Sequence, residues 1–264
     1  MTCFFIFMKW TLFLTLTLFS SCAYFTGKLD KKDIELPDTY EEMSLADFID
    51  HINSFKESYL NSKNVNQHFI SYQDTKYLEG LISNLYKKNE LFFSDKKQAK
   101  FYVIKDVRPF HFSLPDKSIF ISSGLLQKYI KSEKLLYCLL TFELIRSEKI
   151  IYRKIQIVPT GSIDTNRMIS ILRLNTKTKV EVHKWSFYIL KRIGIDTDNY
   201  LSWLQLQNRN SVDFSTQLGD LGSISREEAL FKSFLIKNTS RKRTTKKYER
   251  SSKKFYNFIN RIKS

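Results

Sequence analysis

Two charged residues on an otherwise apolar helix pattern are the strongest candidates for chemistry in this chain. Residues 135–152, LLYCLLTFELIRSEKIIY, place Phe142 and Arg146 on one helical face, with Glu143 beside them. Burying an unpaired charge is costly, so a carboxylate and a guanidinium at this position require an explanation. Either Glu143 and Arg146 form an ordinary exposed ion pair three residues apart, or they belong to a buried site.

The other reactive residue types form no recognisable set. The four histidines, at positions 51, 68, 111 and 183, are scattered and lack metal-ligand spacing. The seven glycines build no phosphate-binding loop, and no Ser-His-Asp set is discernible. Cys138 stands alone in an apolar stretch, where a free buried thiol is the expected state. A hydrophobic core must therefore hold the fold, and 42% apolar residues are enough for one domain.

Alternating helix and strand patterns surround this segment and must position it. Residues 44–60 and 77–88 have apolar residues at helical spacing, and Ser44 is a plausible cap for the first helix. Residues 101–107 and 118–122 are strand-like, and a further helical pattern starts at Gly124. This order predicts an α+β fold that is mostly helical with a small antiparallel sheet.

The stretch FHFSLPDKSIFISSGLLQKYIKSEKLLYCLLTFELIRSE, residues 110–148, resembles the CAAX prenyl endopeptidase-type zinc metallopeptidases. In that family a strand, a Gly-Leu-Leu segment and an acidic turn lead into the zinc helix H-E-x-x-H. The positions that keep this frame are Phe112, Leu114, Pro115, Gly124, Leu125, Leu126, Glu133 and Leu136. Downstream, VEVHKWSFYILKRIGID resembles the family's Glu-Ala-Asp helix and places Glu181 at the third zinc ligand. The resemblance covers residues 74–237 and implies a zincin-like fold.

The departures from the family pattern fall on the zinc ligands. The first histidine position is Phe142, the second is Arg146, and the glutamate between them is Glu143. Phenylalanine has no lone pair to donate and a guanidinium is permanently cationic, so neither side chain can bind zinc. Glu181 alone cannot make a catalytic zinc site, and His183, in place of the family's Asp, is expected to be a surface or packing histidine rather than a metal ligand. The resemblance therefore implies a degenerate member with a vestigial Glu143 and no metal.

Loss of the metal would leave Glu181 without a counter-charge, which is unfavourable for a semi-buried carboxylate. Arg146 can supply that charge permanently, with a planar fork suited to a carboxylate. We therefore expect a contact of Arg146 with Glu181, or with Glu143, within about 4 Å. Phe142 is expected to fill the volume of the lost imidazole.

The amino terminus has the order of a secretory signal. Lys9 precedes an apolar run over residues 10–19, and two serines separate that run from Cys22. Small residues before a cysteine resemble the lipobox of bacterial lipoproteins, with Phe19 where that pattern usually has leucine. We expect cleavage after residue 21 and acylation (palmitate included) of Cys22; an uncleaved anchor or an ordinary cleaved signal are the alternatives.

The carboxyl end is strongly basic. The formal charge of +16 falls to +15 when Lys9 leaves, and residues 241–264 hold ten Lys or Arg residues against one acid, Glu249. This composition predicts a flexible tail over residues 239–264. Behind a signal peptide its anionic partner would be lipid or envelope polymer rather than nucleic acid, and a merely solubilising tail is the alternative. The residues expected at such a surface are Arg241, Lys242, Arg243, Lys246, Lys247, Arg250, Lys253 and Lys254.

The sequence thus predicts four regions: a signal peptide (1–21), a tether (22–43), a zincin-like pseudopeptidase domain (44–238) and a basic tail (239–264). The expected protein faces the periplasm, is held by lipid in the outer membrane, and binds an envelope protein or anionic polymer without a cofactor. An active hydrolase with an unrecognised site, and a structural protein that grips anionic polymer through its tail, remain the alternatives.

Overall fold

The computed structural model describes residues 34–35, 44–93, 98–153, 157–158, 161–196, 198–238 and 250–263. The predicted signal peptide, Cys22, and all but two residues of the tether lie outside these ranges. Contacts divide the chain into residues 1–34 and residues 35–264, and every described residue except Ile34 belongs to the second unit.

Helices make up most of the described chain, as the sequence predicts. Their bounds are α1 (Leu45–Leu60), α2 (Tyr72–Lys87), α3 (Glu133–Glu148), α4 (Thr165–Leu172), α5 (Thr176–Arg192), α6 (Asp198–Arg209), α7 (Ser215–Leu218), α8 (Ser223–Asn238) and α9 (Lys253–Lys263), with a π-helical turn at Leu125–Tyr129. No helix within the described ranges combines the length and apolar character needed to cross a membrane.

Side-chain caps fix where the first two helices begin. Ser44 accepts a hydrogen bond from the backbone N–H of Asp47, which confirms the predicted cap of α1. Helix α2 starts at Tyr72, five residues before the predicted start, because Ser71 and Asp74 form a reciprocal capping box. That box satisfies two backbone donors and adds one and a half turns to the helix.

Four strands form a mixed sheet in the order β2 (Gln67–His68), β3 (Lys100–Ile104), β5 (Ser118–Ser122), β4 (His111–Ser113). The α+β class is confirmed, but the purely antiparallel sheet is wrong because β3 and β5 run parallel. After β3 the chain crosses the position that β5 will occupy and forms β4 on the far side of it. A turn then leads into β5, which pairs antiparallel with β4 and parallel with β3. Two further two-residue strands, β1 (Ile34–Glu35) and β6 (Ile157–Val158), lie outside this sheet.

Strand β5 is buried on both faces, so the sheet separates two hydrophobic cores. Ile119 and Ile121 face the larger core, which contains residues of α3, α5 and α6. Phe120 points the other way, into the smaller core with residues of α1 and α4. The alternation follows from the two-residue period of a strand. Helix α3 lies on the larger-core side of the sheet and contacts β4.

The prediction of a flexible tail over residues 239–264 is wrong for its last part, which is helical. Residues 239–249 lie outside the described residues, but residues 253–263 form α9. Its apolar stripe is buried and consists of Phe255, Phe258, Ile259 and Ile262. Ion pairing with Asp74 through Arg261, and hydrogen bonds from Ser252 to Glu133, fix both ends of this segment. Intervals of three, one and three residues place these four side chains on one face of a helix. The free energy gained by burying that face exceeds the free energy that favours keeping the flanking cations in a solvated, flexible segment.

Candidate functional site

Glu143 lies at the centre of a fully buried polar cluster between α3 and β4. His111 Nδ1 lies 2.5 Å from Glu143 Oε1, and Ser113 Oγ donates to Glu143 Oε2 at 2.7 Å. The hydroxyl of Tyr152 donates to the Ser113 carbonyl at 3.1 Å. We call His111, Ser113, Glu143, Arg146 and Tyr152 the Glu143 cluster. It exists because the period of β4 directs His111 and Ser113 to the same side, facing α3.

Arg146 completes the cluster one helical turn after Glu143. Its Nη1 lies 3.7 Å from Glu143 Oε2, its Nη2 donates to the carbonyl oxygen of Leu172, and its guanidinium stacks on the Tyr152 ring at 4.9 Å. Only 4% of Arg146 is exposed. The predicted contact of Arg146 with Glu143 is confirmed, and the exposed version of that pair is wrong.

Burial and hydrogen bonding act on Glu143 in opposite directions. Desolvation by itself would raise the pKa of Glu143. The hydrogen bond with His111, together with the charge of Arg146 and the Ser113 hydroxyl, outweighs it and holds the pKa below its usual value. Glu143 is therefore an ionised carboxylate inside the protein, compensated by its neighbours.

A small cavity of about 40 Å³ adjoins the cluster. We call it the central cavity. Phe142, Arg146, His183 and Trp203 line it, so the two positions that the resemblance aligns with the zinc histidines face the same space. Within the described residues, no group of three or more His, Cys, Asp or Glu side chains is placed to hold a metal ion. A phenyl ring and a guanidinium at these two positions do not fit zinc, which needs lone-pair donors.

A second polar network closes the cavity from α5 and α8. Glu227 Oε1 accepts a hydrogen bond from Lys179 Nζ at 3.0 Å, and Glu227 Oε2 lies 3.4 Å from His183 Nε2. The other nitrogen of His183 lies 2.8 Å from the hydroxyl of Tyr200. Burial lowers the pKa of His183, and Glu227 offsets only part of that shift. His183 packs in the interior, which decides between the surface and packing positions that the sequence leaves open.

Glu181 does not reach the site, so the predicted Arg146–Glu181 pair is wrong. Its side chain is 55% exposed and pairs with Lys184 Nζ at 2.6 Å on the surface of α5. The residues of α5 that line the cavity are instead Lys179 and His183, which lie one turn apart. Helices α3 and α5 do pack together, as the resemblance implies, but α5 is rotated relative to the expected alignment.

The remaining predicted site residues are distributed at the two ends of the chain. Cys22, Arg241, Lys242, Arg243, Lys246 and Lys247 lie outside the described residues. Arg250, Lys253 and Lys254 are exposed at the start of the carboxyl-terminal segment. Cys138 is buried, which confirms that expectation, and it is a free thiol.

Sequence reasoning missed His111, Ser113 and Tyr152. Two polar residues alternate with aromatic and aliphatic residues in FHFSL, residues 110–114. Because β4 is buried on both faces, His111 and Ser113 had to find buried partners. The sequence signal that could have identified His111 and Ser113 is this alternation, next to a helix that carries Glu143. No comparable pattern marks Tyr152.

No protein-family model matches the chain, and no curated protein matches it. The relation to the zinc metallopeptidases therefore stays a prediction. It rests on the order and spacing of residues quoted above.

Proposed function

We propose that this chain is an exported, lipid-anchored envelope protein whose zincin-like domain binds a partner and has no peptidase activity. The observation that carries the proposal is the environment of Glu143. Both of its carboxylate oxygens are engaged inside the protein, by His111 and Ser113, and the side chain is fully buried. A catalytic glutamate of a zinc peptidase must act on a water at the metal, and Glu143 is held away from that role.

The positions on either side of Glu143 support the same proposal. Phe142 presents an aromatic ring to the central cavity, 5.1 Å from the His183 ring between centroids. Arg146 places a cation where a second imidazole would stand, and that cation contacts Glu143. These two side chains can contact a bound partner, but neither has a lone pair with which to bind zinc.

The hairpin before α3 adds support for the zincin-like scaffold. In the family pattern a Gly-Gly pair follows the proline, and in this chain Asp116 and Lys117 stand at that position. Lys117 has φ +64°, a conformation that favours glycine. The lysine is tolerated because its Nζ forms a buried ion pair with Glu148 at 2.7 Å. Gly124, which the family pattern also has, lies where a Cβ would collide with the carbonyl of Val107.

The proposal is tested by zinc content and proteolysis. The purified chain is expected to hold no zinc and to leave casein uncleaved with added zinc. The double variant Phe142→His/Arg146→His is expected to gain about one zinc per chain, since His183 already lies beside position 142. Metal analysis and mass spectrometry of casein fragments provide the measurements.

The same double variant carrying His183→Ala is the control and should bind zinc much more weakly. Zinc-dependent cleavage by the unaltered chain would overturn the pseudopeptidase proposal. Failure of the folded double variant to bind zinc would remove the zincin-like scaffold from it.

The geometry of Ser113 does not support a serine-hydrolase mechanism, which is one form that the alternative of an active hydrolase could take. Ser113 is completely buried, and its hydroxyl donates to Glu143 rather than to a histidine base. His111 contacts the other oxygen of the same carboxylate. A nucleophile must reach both its base and the substrate, and Ser113 reaches neither.

Export and anchoring form the second part of the proposal, and they rest on the amino-terminal sequence. Lys9, the apolar residues 10–19 and the small residues before Cys22 support cleavage and acylation. A single acyl chain anchors only marginally, so two or more chains on Cys22 are expected. Ala23 lacks the acidic character associated with inner-membrane retention, which favours the outer membrane.

Substitution Cys22→Ala is expected to release the protein from membranes or leave its signal uncleaved. The reason is that the acyl chains supply the stable anchor in lipid, and the salt-dependent contact of the basic segment is not expected to hold the protein without them. Intact-mass analysis of the membrane fraction should find the unaltered chain starting at acylated Cys22. Cys138→Ala is the matched control and should not change location. A chain that retains residues 8–21 without lipid would contradict the anchor.

The basic segment supplies the third part of the proposal, a contact with anionic lipid or envelope polymer. Replacing Arg241, Lys242, Arg243, Lys246, Lys247, Arg250, Lys253 and Lys254 by glutamine should abolish sedimentation with anionic vesicles. Binding by the unaltered chain should weaken as salt rises, because exposed charges are screened over about 8 Å at physiological ionic strength. Neutral vesicles are the control, and equal binding by both chains at all salt concentrations would contradict this role.

A further inference from the structure

Several hydrogen-bonding groups that line the central cavity have no protein partner. Among the described residues, Arg146 Nε and Arg173 Nε are buried without a hydrogen-bond acceptor. Gln207 is only 6% exposed, and its side-chain amide has no hydrogen-bond partner among the described residues. All three residues line the cavity. Unsatisfied buried donors are costly and uncommon in folded proteins, so two such guanidinium nitrogens, together with the largely buried amide of Gln207, indicate that a ligand satisfies them.

The side-chain amide of Gln217 is a further donor, and its direction is fixed. Its Oε1 accepts a hydrogen bond from the backbone N–H of His111 at 3.0 Å. The amide NH₂ of Gln217 then has no partner among the described residues, and Gln217 also lines the cavity. The available groups at this cavity are therefore mainly donors, which suit an acceptor ligand.

The charges at the cavity are unbalanced by one positive charge. Lys179 is paired with Glu227, and Arg146 contacts Glu143. Arg173 has no carboxylate partner within the described ranges, and burial lowers the pKa of its guanidinium. A half-buried guanidinium without a counter-charge favours an anion beside it.

Arg173 is also held in place. Arg173 directly follows α4, and its Nη2 donates to the carbonyl oxygen of Thr216 in α7 at 3.1 Å. Gly219, at φ +73°, packs against the guanidinium, where any Cβ would collide with it. A cation fixed in this way loses little conformational entropy when it binds.

We infer that the central cavity binds a small carboxylate, with Arg173 as its counter-charge and the amides of Gln207 and Gln217 as additional donors. The inference rests on the proposed binding function and names its ligand class. A volume of about 40 Å³ is roughly that of three water positions and admits a planar carboxylate. One uncompensated positive charge matches a singly charged carboxylate better than a doubly charged phosphate, and the planar guanidinium suits a carboxylate.

The carboxylate can come from a free monocarboxylate or from the carboxyl terminus of a peptide, and titration distinguishes these sources. We would titrate the full chain in detergent with acetate, with a short peptide ending in a free carboxylate, and with the same peptide amidated. Calorimetry measures affinity at constant ionic strength, and the fluorescence of Trp203, which lines the cavity, reports the location. Phosphate is titrated in parallel.

Acetate or the free-acid peptide should bind and change the fluorescence, and the amidated peptide should not. Arg173→Gln should weaken binding about tenfold or more, the usual range for losing a charge-assisted hydrogen bond. Lys177→Gln removes an exposed charge four residues away and is the matched control. Gln207→Leu, which keeps the charge, should weaken binding even if Arg173→Gln fails to fold.

Absence of binding by the unaltered chain, or equal binding by it and the folded Arg173→Gln and Gln207→Leu variants, would overturn the inference. Tighter binding of phosphate would overturn the ligand class. The peptide samples are also examined for cleavage by mass spectrometry. Cleavage would contradict the proposed pseudopeptidase, whereas neither binding nor cleavage would contradict the carboxylate site alone.

Discussion

Truncation of the chain after Asn238 is expected to unfold the domain, although it removes the most basic part of the sequence. Helix α9 buries four apolar side chains, and each contributes about 1.5–3 kcal/mol. Their sum approaches the roughly 5–15 kcal/mol that holds a typical domain together. Far-UV and near-UV circular dichroism of the truncated chain should show loss of fixed tertiary structure.

Single substitutions on α9 give a graded version of this experiment. Phe258→Ala should lower the free energy of unfolding by about 3–5 kcal/mol, because the ring is fully buried against Tyr77. Asn257→Ala changes the exposed neighbouring residue and should cost less than about 0.5 kcal/mol. Urea unfolding measures both. A truncated chain with native stability would show that α9 does not belong to the domain.

Glu143→Ala should be the most destabilising change in the polar interior, by about 3–5 kcal/mol. It leaves the buried guanidinium of Arg146 without its carboxylate and leaves His111 and Ser113 without their acceptor. Arg146→Ala should cost a similar amount, since Glu143 would then lose its neighbouring cation. Urea midpoints and slopes for the two single variants and the double variant measure these effects and their coupling.

Glu181→Ala is the matched control, because Glu181 was the other candidate partner of Arg146. Its exposed pair with Lys184 should contribute less than about 0.5 kcal/mol. A large loss of stability in Glu181→Ala, with little in Glu143→Ala, would contradict the assignment of Glu143 as the buried partner.

The helix boundaries show how far local patterns extend. Ser44 and the apolar spacing after it predict α1 almost to the residue, because capping and amphipathicity are local properties. The parallel pairing of β3 with β5 is not local, since it depends on where the chain passes between residues 105 and 110. No spacing rule within either strand contains that information.

The carboxyl-terminal helix shows a different failure. Its stripe of Phe255, Phe258, Ile259 and Ile262 was present in the sequence at helical spacing. The dense cations before it led to the prediction of a flexible tail. Composition averaged over residues 239–264 concealed an amphipathic helix that occupies less than half of that segment.

The sequence by itself determined the residue types at the centre of the site: a phenylalanine, a glutamate and an arginine on one turn of an apolar helix. Those residue types exclude a pair of zinc-binding side chains and require that Glu143 and Arg146 find partners. Only the tertiary structure decided which partners, because spacing defines the face of a helix but not its rotation against a neighbour. The packing of α5 turns Lys179 and His183 toward the cavity and Glu181 toward solvent.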